Sequence, residues 1–483
     1  MSHPSIKRNF IMNSLLTMSS FIFPLVTFPY ISRILLPEGT GRVSFATSLI
    51  YYFNMFAQMG IPTYGVRACA KVREDKVALT RTAHELLFMN ILMSILAYIA
   101  LGVALFTVSR LYDDRTLYII VSFTIALNAI GMEWLYKALE QYTYITIRSV
   151  IFKFIALISM FLLIHHRSDY VIYGAISIFA SSASNIFNFF NVHKYIDVKP
   201  VGGYDLRVHF KPISIFFAMA CATTIYTHLD TVMLGFMTTD EDVGYYNAAV
   251  KIKTVMLSIV TSLGTVLLPR SSYYVEQGKI KEFDRITTKA LNFVALLATP
   301  MVIYFIIYAK EGIFFLSGTS YVGAIVPMQV IIPTILFIGL TNIMGIQILV
   351  PLNREIVVLY SEIVGAVVDL ILNLLLIPKL AATGAAIGTL IAEISVFVYQ
   401  LIVLKDQVIN AYRKIHYGRI FIALVVSCLS CIWVKWFDFS SVLSLLISGT
   451  LFFGFYGIVL LILKEPLVND IFKQILSKIA RNI

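Results

Sequence analysis

Cysteine, histidine and charge are scarce in this chain, and each scarcity removes a class of function. Only 4 of its 483 residues are cysteine and 8 are histidine. Cys428 and Cys431 form a C-x-x-C pair, but no second pair of ligands stands nearby, so we interpret them as apolar interior residues. No metal, nucleotide or nucleophile motif is found, so we predict no catalytic residue, no metal site and no ATP hydrolysis by this chain.

Long polar segments are missing as well. Charged residues make up 13% of the chain and hydrophobic ones 59%. The longest loops run to about twenty residues, which is too short for a soluble catalytic domain. A hydrocarbon core about 30 Å thick needs about 20 apolar residues of helix. Fourteen runs are predicted to span it: 9–34, 42–66, 84–109, 116–138, 142–164, 170–192, 212–236, 243–268, 289–309, 322–351, 356–378, 383–404, 419–437 and 441–463.

The net charge of +11 is interpreted as a topology signal, not as a nucleic-acid patch. When the spans are numbered from the first, most Lys and Arg fall in the even-numbered loops and at the two chain ends. Such an excess marks the cytoplasmic side of a membrane protein. We therefore expect a multi-pass membrane protein with both termini in the cytoplasm and no nucleic-acid partner.

A faint internal repeat divides the chain. Gly41 opens the second span and Gly244 opens the eighth, six spans later. An even number of spans restores the orientation, so the halves are expected to be parallel repeats about an axis along the membrane normal. We predict an all-α membrane protein with two lobes and a binding site in a cleft between them. Its parts are an N-lobe (1–192), a cytoplasmic linker (193–211), a C-lobe (212–404), and a final helix pair with an amphipathic cytoplasmic tail (405–483).

Polar side chains form stripes along the first two spans of each half. Tyr51 and Asn54 belong to such a stripe in the second span, and Thr47 and Gln58 share their helical face. Lipid cannot satisfy polar groups, so the stripes must face protein or water. Helix packing would explain any single stripe. Stripes at corresponding places in both halves favour a shared aqueous cleft.

Charges inside the spans need a partner or a use, because a lone charge at the bilayer centre costs about 2.5–3.5 kcal/mol on insertion scales. Glu133 and Arg148 lie at similar depth in spans 4 and 5, and we expect them to pair. Asp230 and Lys251, in spans 7 and 8, form a second predicted pair. Both pairs also fit a purely structural role. Lys153 lies nearer the middle of span 5 and has no obvious partner.

Two carboxylates fall near the midplane of adjacent spans. Asp369 lies in span 11 and Glu393 in span 12, and Glu362 and Asn373 share the helical face of Asp369. Carboxylates at one depth compete for a proton or share a cation. One interpretation is an ion-coupling site for Na+ or H+, formed by Asp369, Glu393 and Glu362. The other is a hydrogen bond between helices from a protonated Glu393. No other cofactor is expected.

Several short segments occur in an informative order and spacing. They are PYISR (29–33) with Gly41, GVR (65–67), EWLY (133–136), YITIR (144–148) with Lys153, Asp230, LG (234–235), GYY (244–246), IPK (377–379), GAA (384–386) and Glu393. In these segments the chain resembles the lipid-linked oligosaccharide flippases. These are the Wzx-like polysaccharide transport family of the multidrug/oligosaccharidyl-lipid/polysaccharide exporter superfamily. The resemblance covers nearly the whole chain.

The resemblance implies fourteen helices in two six-helix lobes plus a terminal pair, an alternating-access cleft, and a polyprenyl-diphosphate-linked oligosaccharide as cargo. Such proteins serve capsule, O-antigen or exopolysaccharide synthesis in the bacterial plasma membrane, where a polysaccharide polymerase is a further expected partner. Sugar hydroxyls are expensive to transfer into hydrocarbon, and the diphosphate needs cations. The residues expected to bind this cargo are Arg148, Lys153, Lys251, Arg33 and Arg67 for the anion, and Tyr51, Asn54 and Tyr144 for the sugars.

Two other functions compete with this one. A cation-coupled exporter of small amphipathic drugs from the same superfamily would have a mostly apolar, acid-lined pocket. A membrane glycosyltransferase or polymerase would need a large loop or a clustered acidic motif, and the sequence has neither. We therefore predict a transporter and not an enzyme.

Overall fold

The computed structural model describes residues 6–470, 472 and 473, and over these residues it contains helices and no strand. Only helices and closed barrels satisfy their own backbone hydrogen bonds in lipid. Eight helices are long and apolar enough to cross a membrane, or ten if each of two bent helix pairs is one span. The predicted all-α membrane architecture is confirmed, and the count of fourteen stays a prediction. The predicted amphipathic tail lies largely outside the described residues.

The chain divides into two compact units, Met1–Gly244 and Tyr245–Ile483. The seventh predicted span packs with the first unit, and the six-helix lobes stay a prediction. The helices of the first unit are α1 Ile6–Gln58, α2 Ile61–Lys71, α3 Lys76–Thr107, α4 Arg115–Gly131, α5 Glu133–Ala138, α6 Tyr142–Leu163, α7 Tyr170–Ile178, α8 Asn185–Asn191 and α9 Arg207–Met237. The others are α10 Asp240–Glu276, which begins in the first unit, α11 Ile280–Ile307, α12 Ala309–Ser317, α13 Ile325–Ile331, α14 Thr334–Asn342, α15 Glu355–Val403, α16 Lys405–Arg413, α17 Tyr417–Cys431 and α18 Ser441–Ile462.

The two longest helices each contain a reversal of the chain. In α15 the backbone breaks at Ala381, with φ 46°, and the side chain of Gln400 then donates to the hydroxyl of Ser361 at 3.0 Å. A break at Leu36, with φ 59°, divides α1 in the same way. Both breaks lie in the loops predicted between spans 1 and 2 and between spans 11 and 12. Each long helix is therefore a pair of predicted spans.

The glycines that define the predicted repeat lie against each other. A Cβ on Gly41 would overlap the carbonyl of Asp240, and a Cβ on Gly244 would overlap the carbonyl of Pro37. The sequence offset that relates Gly41 to Gly244 also relates Pro37 to Asp240, so the two contacts are equivalent. Reciprocal contacts of this kind are typical of packing about a two-fold axis. They support the parallel repeat inferred from sequence.

Helix α6 runs parallel to the first half of α1. Thr146 donates to the carbonyl of Met12 at 2.9 Å, and Tyr30, further along α1, donates to the carbonyl of Ile164 at 2.9 Å. The two contacts are separated by the same number of residues on both helices, as only a parallel pair allows. This agrees with their assignment as the first and fifth spans, and it brings Lys153 beside the polar stripe predicted in the first span.

The predicted inter-lobe linker is docked along α3. Glu85 of α3 accepts a hydrogen bond from the backbone of Asp205 at 2.7 Å, and its other oxygen lies 2.8 Å from Nε2 of His209. The hydroxyl of Tyr64 lies 2.7 Å from Nδ1 of the same imidazole. Glu85 and His209 are both buried. The start of α9 is therefore held on the first unit by a buried polar network.

Candidate functional site

Arg148 is buried, and its guanidinium contacts a carbonyl, a carboxylate and an aromatic ring. It is 7% exposed, and its Nη1 donates to the carbonyl of Ser184 at 2.5 Å. Its Nη2 lies 3.6 Å from Oε2 of Glu133, and its guanidinium lies 5.9 Å from the centre of the Tyr144 ring. Its Nε has no hydrogen-bond partner among the described residues. Arg148 thus has a buried Nε–H without an acceptor among the described residues, and its carboxylate partner lies too far away for a good hydrogen bond.

Glu133 is shared between two cations. The left-handed backbone of Met132, with φ 43°, separates α4 from α5 and places Glu133 at the first position of α5. Its Oε1 lies 2.8 Å from Nζ of Lys137, and its side chain is 35% exposed. Glu133 therefore touches a buried cation on one side and a half-exposed cation on the other.

Lys153 has partners that the sequence did not reveal. Its Nζ donates to the hydroxyls of Ser19 and Ser20 on α1, at 2.8 Å each. The prediction that it lacks an obvious partner is therefore wrong, because two hydroxyls far away in sequence supply the hydrogen bonds. Lys153 forms no ion pair with any residue that the structure describes. Its charge is solvated by neutral groups, and one of them, Ser20, is exposed and belongs to the polar stripe predicted in the first span. We call Lys137, Arg148 and Lys153, with Glu133, the basic cluster.

Tyr144 supports the basic cluster. Its hydroxyl donates to the carbonyl of Phe187 at 3.0 Å, and its ring stacks on Tyr136 with centroids 5.4 Å apart. The hydroxyl and one face of the ring are thus engaged, and the ring lies close to Arg148. This geometry suits a packing role beside Arg148 better than the sugar-stacking role predicted from sequence.

Tyr51 and Asn54 lie on the polar stripe predicted in the second span, which is the second half of α1, and sequence reasoning missed their partners. The Tyr51 ring is 41% exposed and stacks on His228 with centroids 4.6 Å apart and an angle of 15°. Asn54 accepts a hydrogen bond from Asn128 at 3.3 Å, and Asn128 accepts one from Asn185 at 3.1 Å. The partners His228, Asn128 and Asn185 are single polar residues within apolar runs, so helical periodicity gives no signal for them. Their polarity inside a predicted span is the signal that could have pointed to them. Together they form an uncharged polar surface.

The remaining predicted binding residues are spread over the chain. Arg33 is exposed and donates to the carbonyl of Pro29, and Arg67 is exposed on α2. Asp230 is buried in α9 of the first unit, whereas Lys251 lies on α10 in the second unit. The predicted Asp230–Lys251 pair stays a prediction. Arg33, Arg67 and Lys251 are not part of the basic cluster.

The predicted ion-coupling residues fall into two groups. Asp369 and Glu393 are buried, as is Asn373, whereas Glu362 is exposed. A Cβ on Gly388 would contact the side chains of Asp369 and Asn373, so the two halves of α15 pack closely at this level. The pairing register of this hairpin places Asp369 and Glu393 at the same height. No group of three or more His, Cys, Asp or Glu side chains suited to a metal ion occurs within the described residues.

Comparisons with known proteins identify one family from the sequence and similar folds among solved structures. The family described as "Polysaccharide biosynthesis protein" matches residues 6–275. The "Putative O-antigen transporter" of Escherichia coli (strain K12) is 25% identical over 410 residues, which are 83% of this chain and 97% of that protein. A solved structure of the lipid II flippase MurJ in an inward closed conformation shares 16% identity at a TM-score of 0.72, covering 94% of this chain and 99% of that one. An inward-facing multidrug resistance transporter of the MATE family has a TM-score of 0.58 at 12% identity, with 83% and 98% covered.

Proposed function

Because the chain belongs to the polysaccharide biosynthesis protein family, we propose that it flips a polyprenyl-diphosphate-linked oligosaccharide across the bacterial plasma membrane. The cargo moves from the cytoplasmic to the outer leaflet by alternating access, and both termini of the protein are cytoplasmic. The observation that carries this proposal is Lys153. It is a cation inside a predicted span, its hydrogen-bond partners among the described residues are two hydroxyls, and it lies beside the polar stripe predicted in the first span.

The chemistry of the cargo fits the first unit. The diphosphate needs cations in a partly dry environment, where charge-assisted hydrogen bonds are strong. Lys153 and the half-exposed Lys137 supply these cations. The buried Arg148 adds a third, whose Nε has no hydrogen-bond partner among the described residues. The sugars need hydrogen-bonding groups and flat apolar faces. Tyr51 offers the open face of an aromatic ring, and the amide chain of Asn54, Asn128 and Asn185 adds donors and acceptors.

Names of similar proteins support the same class of cargo. The E. coli relative is named as an O-antigen transporter, and a Bacillus subtilis protein that is 26% identical over 197 residues is named as a lipid II flippase. Both names concern sugar-bearing molecules of the cell envelope. In the proposal a polysaccharide polymerase consumes the flipped repeat unit, and the protein acts as a transporter without chemical conversion of its cargo.

Reconstituted vesicles test this function. We expect purified protein to make a fluorescent polyprenyl-diphosphate-linked oligosaccharide accessible to a reagent confined to the opposite leaflet, at a rate above that of protein-free vesicles. The alternative function, cation-coupled export of small molecules, predicts instead that a lipophilic cationic dye accumulates. Dye transport without movement of the oligosaccharide would reject the flippase proposal.

The predicted coupling site is tested by Asp369→Asn. Asparagine keeps the size and hydrogen-bonding capacity of the side chain but removes the charge that would hold Na+ or release H+. We expect the vesicle transport rate to lose its dependence on an imposed Na+ or pH gradient. Glu355→Gln is the matched control, because Glu355 lies at the start of the same helix, is exposed and is not among the predicted coupling residues. An unchanged gradient dependence in Asp369→Asn would remove this residue from coupling.

A further inference from the structure

Glu133 is an unusual member of a site that is meant to bind an anion. Its carboxylate lies 2.8 Å from Lys137 and 3.6 Å from Arg148, and the third cation of the basic cluster, Lys153, follows Arg148 by five residues on α6. A carboxylate at this place repels a diphosphate. It needs a reason beyond the binding of the cargo itself.

We propose that Glu133 is a built-in counter-charge, which neutralises one of the three cations and is displaced by the diphosphate of the cargo. This inference rests on the proposed function and adds a rule of specificity to it. With Glu133 ionised, the basic cluster carries two positive charges in excess. A sugar diphosphate ester of a prenol carries one negative charge on each phosphate. The charges of site and ligand therefore match.

Burial explains why the empty site needs this carboxylate. An isolated cation taken out of water carries a large desolvation cost, and a partner charge offsets part of it. Arg148 is nearly enclosed, and Ser184 gives it only a neutral acceptor. Glu133 supplies the missing negative charge while no cargo is bound.

The geometry also explains how Glu133 gives way. Its distance of 3.6 Å to Arg148 is longer than a good charge-assisted hydrogen bond, and one third of its side chain is exposed. Its second partner, Lys137, is itself half-exposed and follows it by one helical turn. An incoming phosphate oxygen can thus replace Glu133 at Arg148, while the carboxylate keeps Lys137 and water as partners.

The charge of the basic cluster predicts a preference for a diphosphate ester over a monophosphate ester. A diphosphate ester brings enough charge to replace Glu133 and satisfy the two excess cations. A monophosphate ester brings one charge and leaves the cluster positive or still tied to Glu133. The protein should therefore prefer the diphosphate, and this preference should depend on Glu133.

The test measures binding of two probes to purified protein in nanodiscs. The probes are a short-chain prenyl diphosphate ester of N-acetylglucosamine and the corresponding monophosphate ester. In Glu133→Gln the cluster gains a positive charge. We expect the Kd for the diphosphate ester to fall about tenfold, and the Kd for the monophosphate ester to fall further, so that discrimination shrinks. In the vesicle assay this variant should release cargo more slowly.

Two further variants make the test decisive. Lys137→Gln removes one cation from a half-exposed position, so it should weaken diphosphate binding and shift the preference toward the monophosphate. Glu140→Gln is the matched control, because Glu140 is similarly exposed and pairs with Arg73 at 2.9 Å, outside the basic cluster. It should leave both Kd values unchanged.

The outcomes separate the two proposals. If wild-type protein binds neither ester, the proposed function fails and this inference fails with it. If wild-type protein binds the diphosphate ester but Glu133→Gln leaves the ratio of the two Kd values unaltered, or weakens both equally, the counter-charge role is rejected and the proposed function stands. A purely structural Glu133 would lower the melting temperature without changing the ratio.

Discussion

Replacing Lys153 by glutamine is expected to reduce the transport rate of the diphosphate-linked oligosaccharide by about 10- to 100-fold. The estimate follows from a charge-assisted hydrogen bond worth about 1.5–3 kcal/mol. Glutamine retains a donor for the hydroxyls of Ser19 and Ser20, so the packing of α6 on α1 should persist. The measurement is the initial flipping rate in reconstituted vesicles, normalised to the amount of folded protein.

Two control variants isolate the charge of Lys153. Lys153→Arg keeps the charge and should retain much of the activity. Lys76→Gln removes a lysine of the same unit that pairs with Asp197 at 2.6 Å on the surface, and exposed pairs of this kind contribute little. Equal losses in Lys153→Gln and Lys76→Gln would point to a general effect of positive charge. Full activity of Lys153→Gln would remove Lys153 from the site and take the main support from the proposed function.

Arg148 and Lys153 illustrate two different uses of a cation in a membrane. Arg148 is enclosed, with a carbonyl, a carboxylate and an aromatic ring around it, so it stabilises the arrangement of α5, α6 and α8 as well as the site. Within the described part of the chain, Lys153 donates to two hydroxyls, and its side chain is partly accessible. Loss of Arg148 should thus affect both folding and transport, whereas loss of Lys153 should affect transport.

Sequence patterns predicted the parts of the fold that depend on solvent. Runs of apolar residues and the breaks between them are dictated by the bilayer, so the reversals near Leu36 and Ala381 fell in predicted loops. The repeat defined by Gly41 and Gly244 was also visible, because close backbone contact admits only glycine. In these cases one strong physical constraint acts on residues that are near in sequence.

Contacts between distant helices were beyond the sequence. The hydroxyls that hold Lys153 lie more than a hundred residues before it, and helical periodicity carries no information about the partner of a face. The amide chain through Asn128 and Asn185 was missed for the same reason. The docking of the linker through Glu85 and His209 was missed as well, since charged residues near a span end are usually read as topology signals. Tertiary packing decides all three.

The reciprocal contact of Gly41 and Gly244 predicts the largest loss of stability. In Gly41→Ala the new methyl group would overlap the backbone of Asp240, and in Gly244→Ala it would overlap the backbone of Pro37. Backbone atoms cannot rotate away as a side chain can, so each variant should lose about 3 kcal/mol, the upper part of the range for overpacking. Thermal unfolding of the purified protein, followed by intrinsic fluorescence, measures the loss.

A double variant distinguishes this contact from two separate ones. Both substitutions push apart the same pair of segments. The double variant should therefore lose less stability than the sum of the two single losses, with a coupling energy above about 0.5 kcal/mol. Gly102→Ala is the control, because nothing lies within 4 Å of its added methyl group and alanine favours a helix by about 0.5–1 kcal/mol over glycine. Additive stability losses in the double variant would contradict a single shared contact of the segments around Gly41 and Gly244. Wild-type stability in both single variants would show that the segments around Gly41 and Gly244 do not meet, and the parallel repeat would then rest on sequence spacing alone.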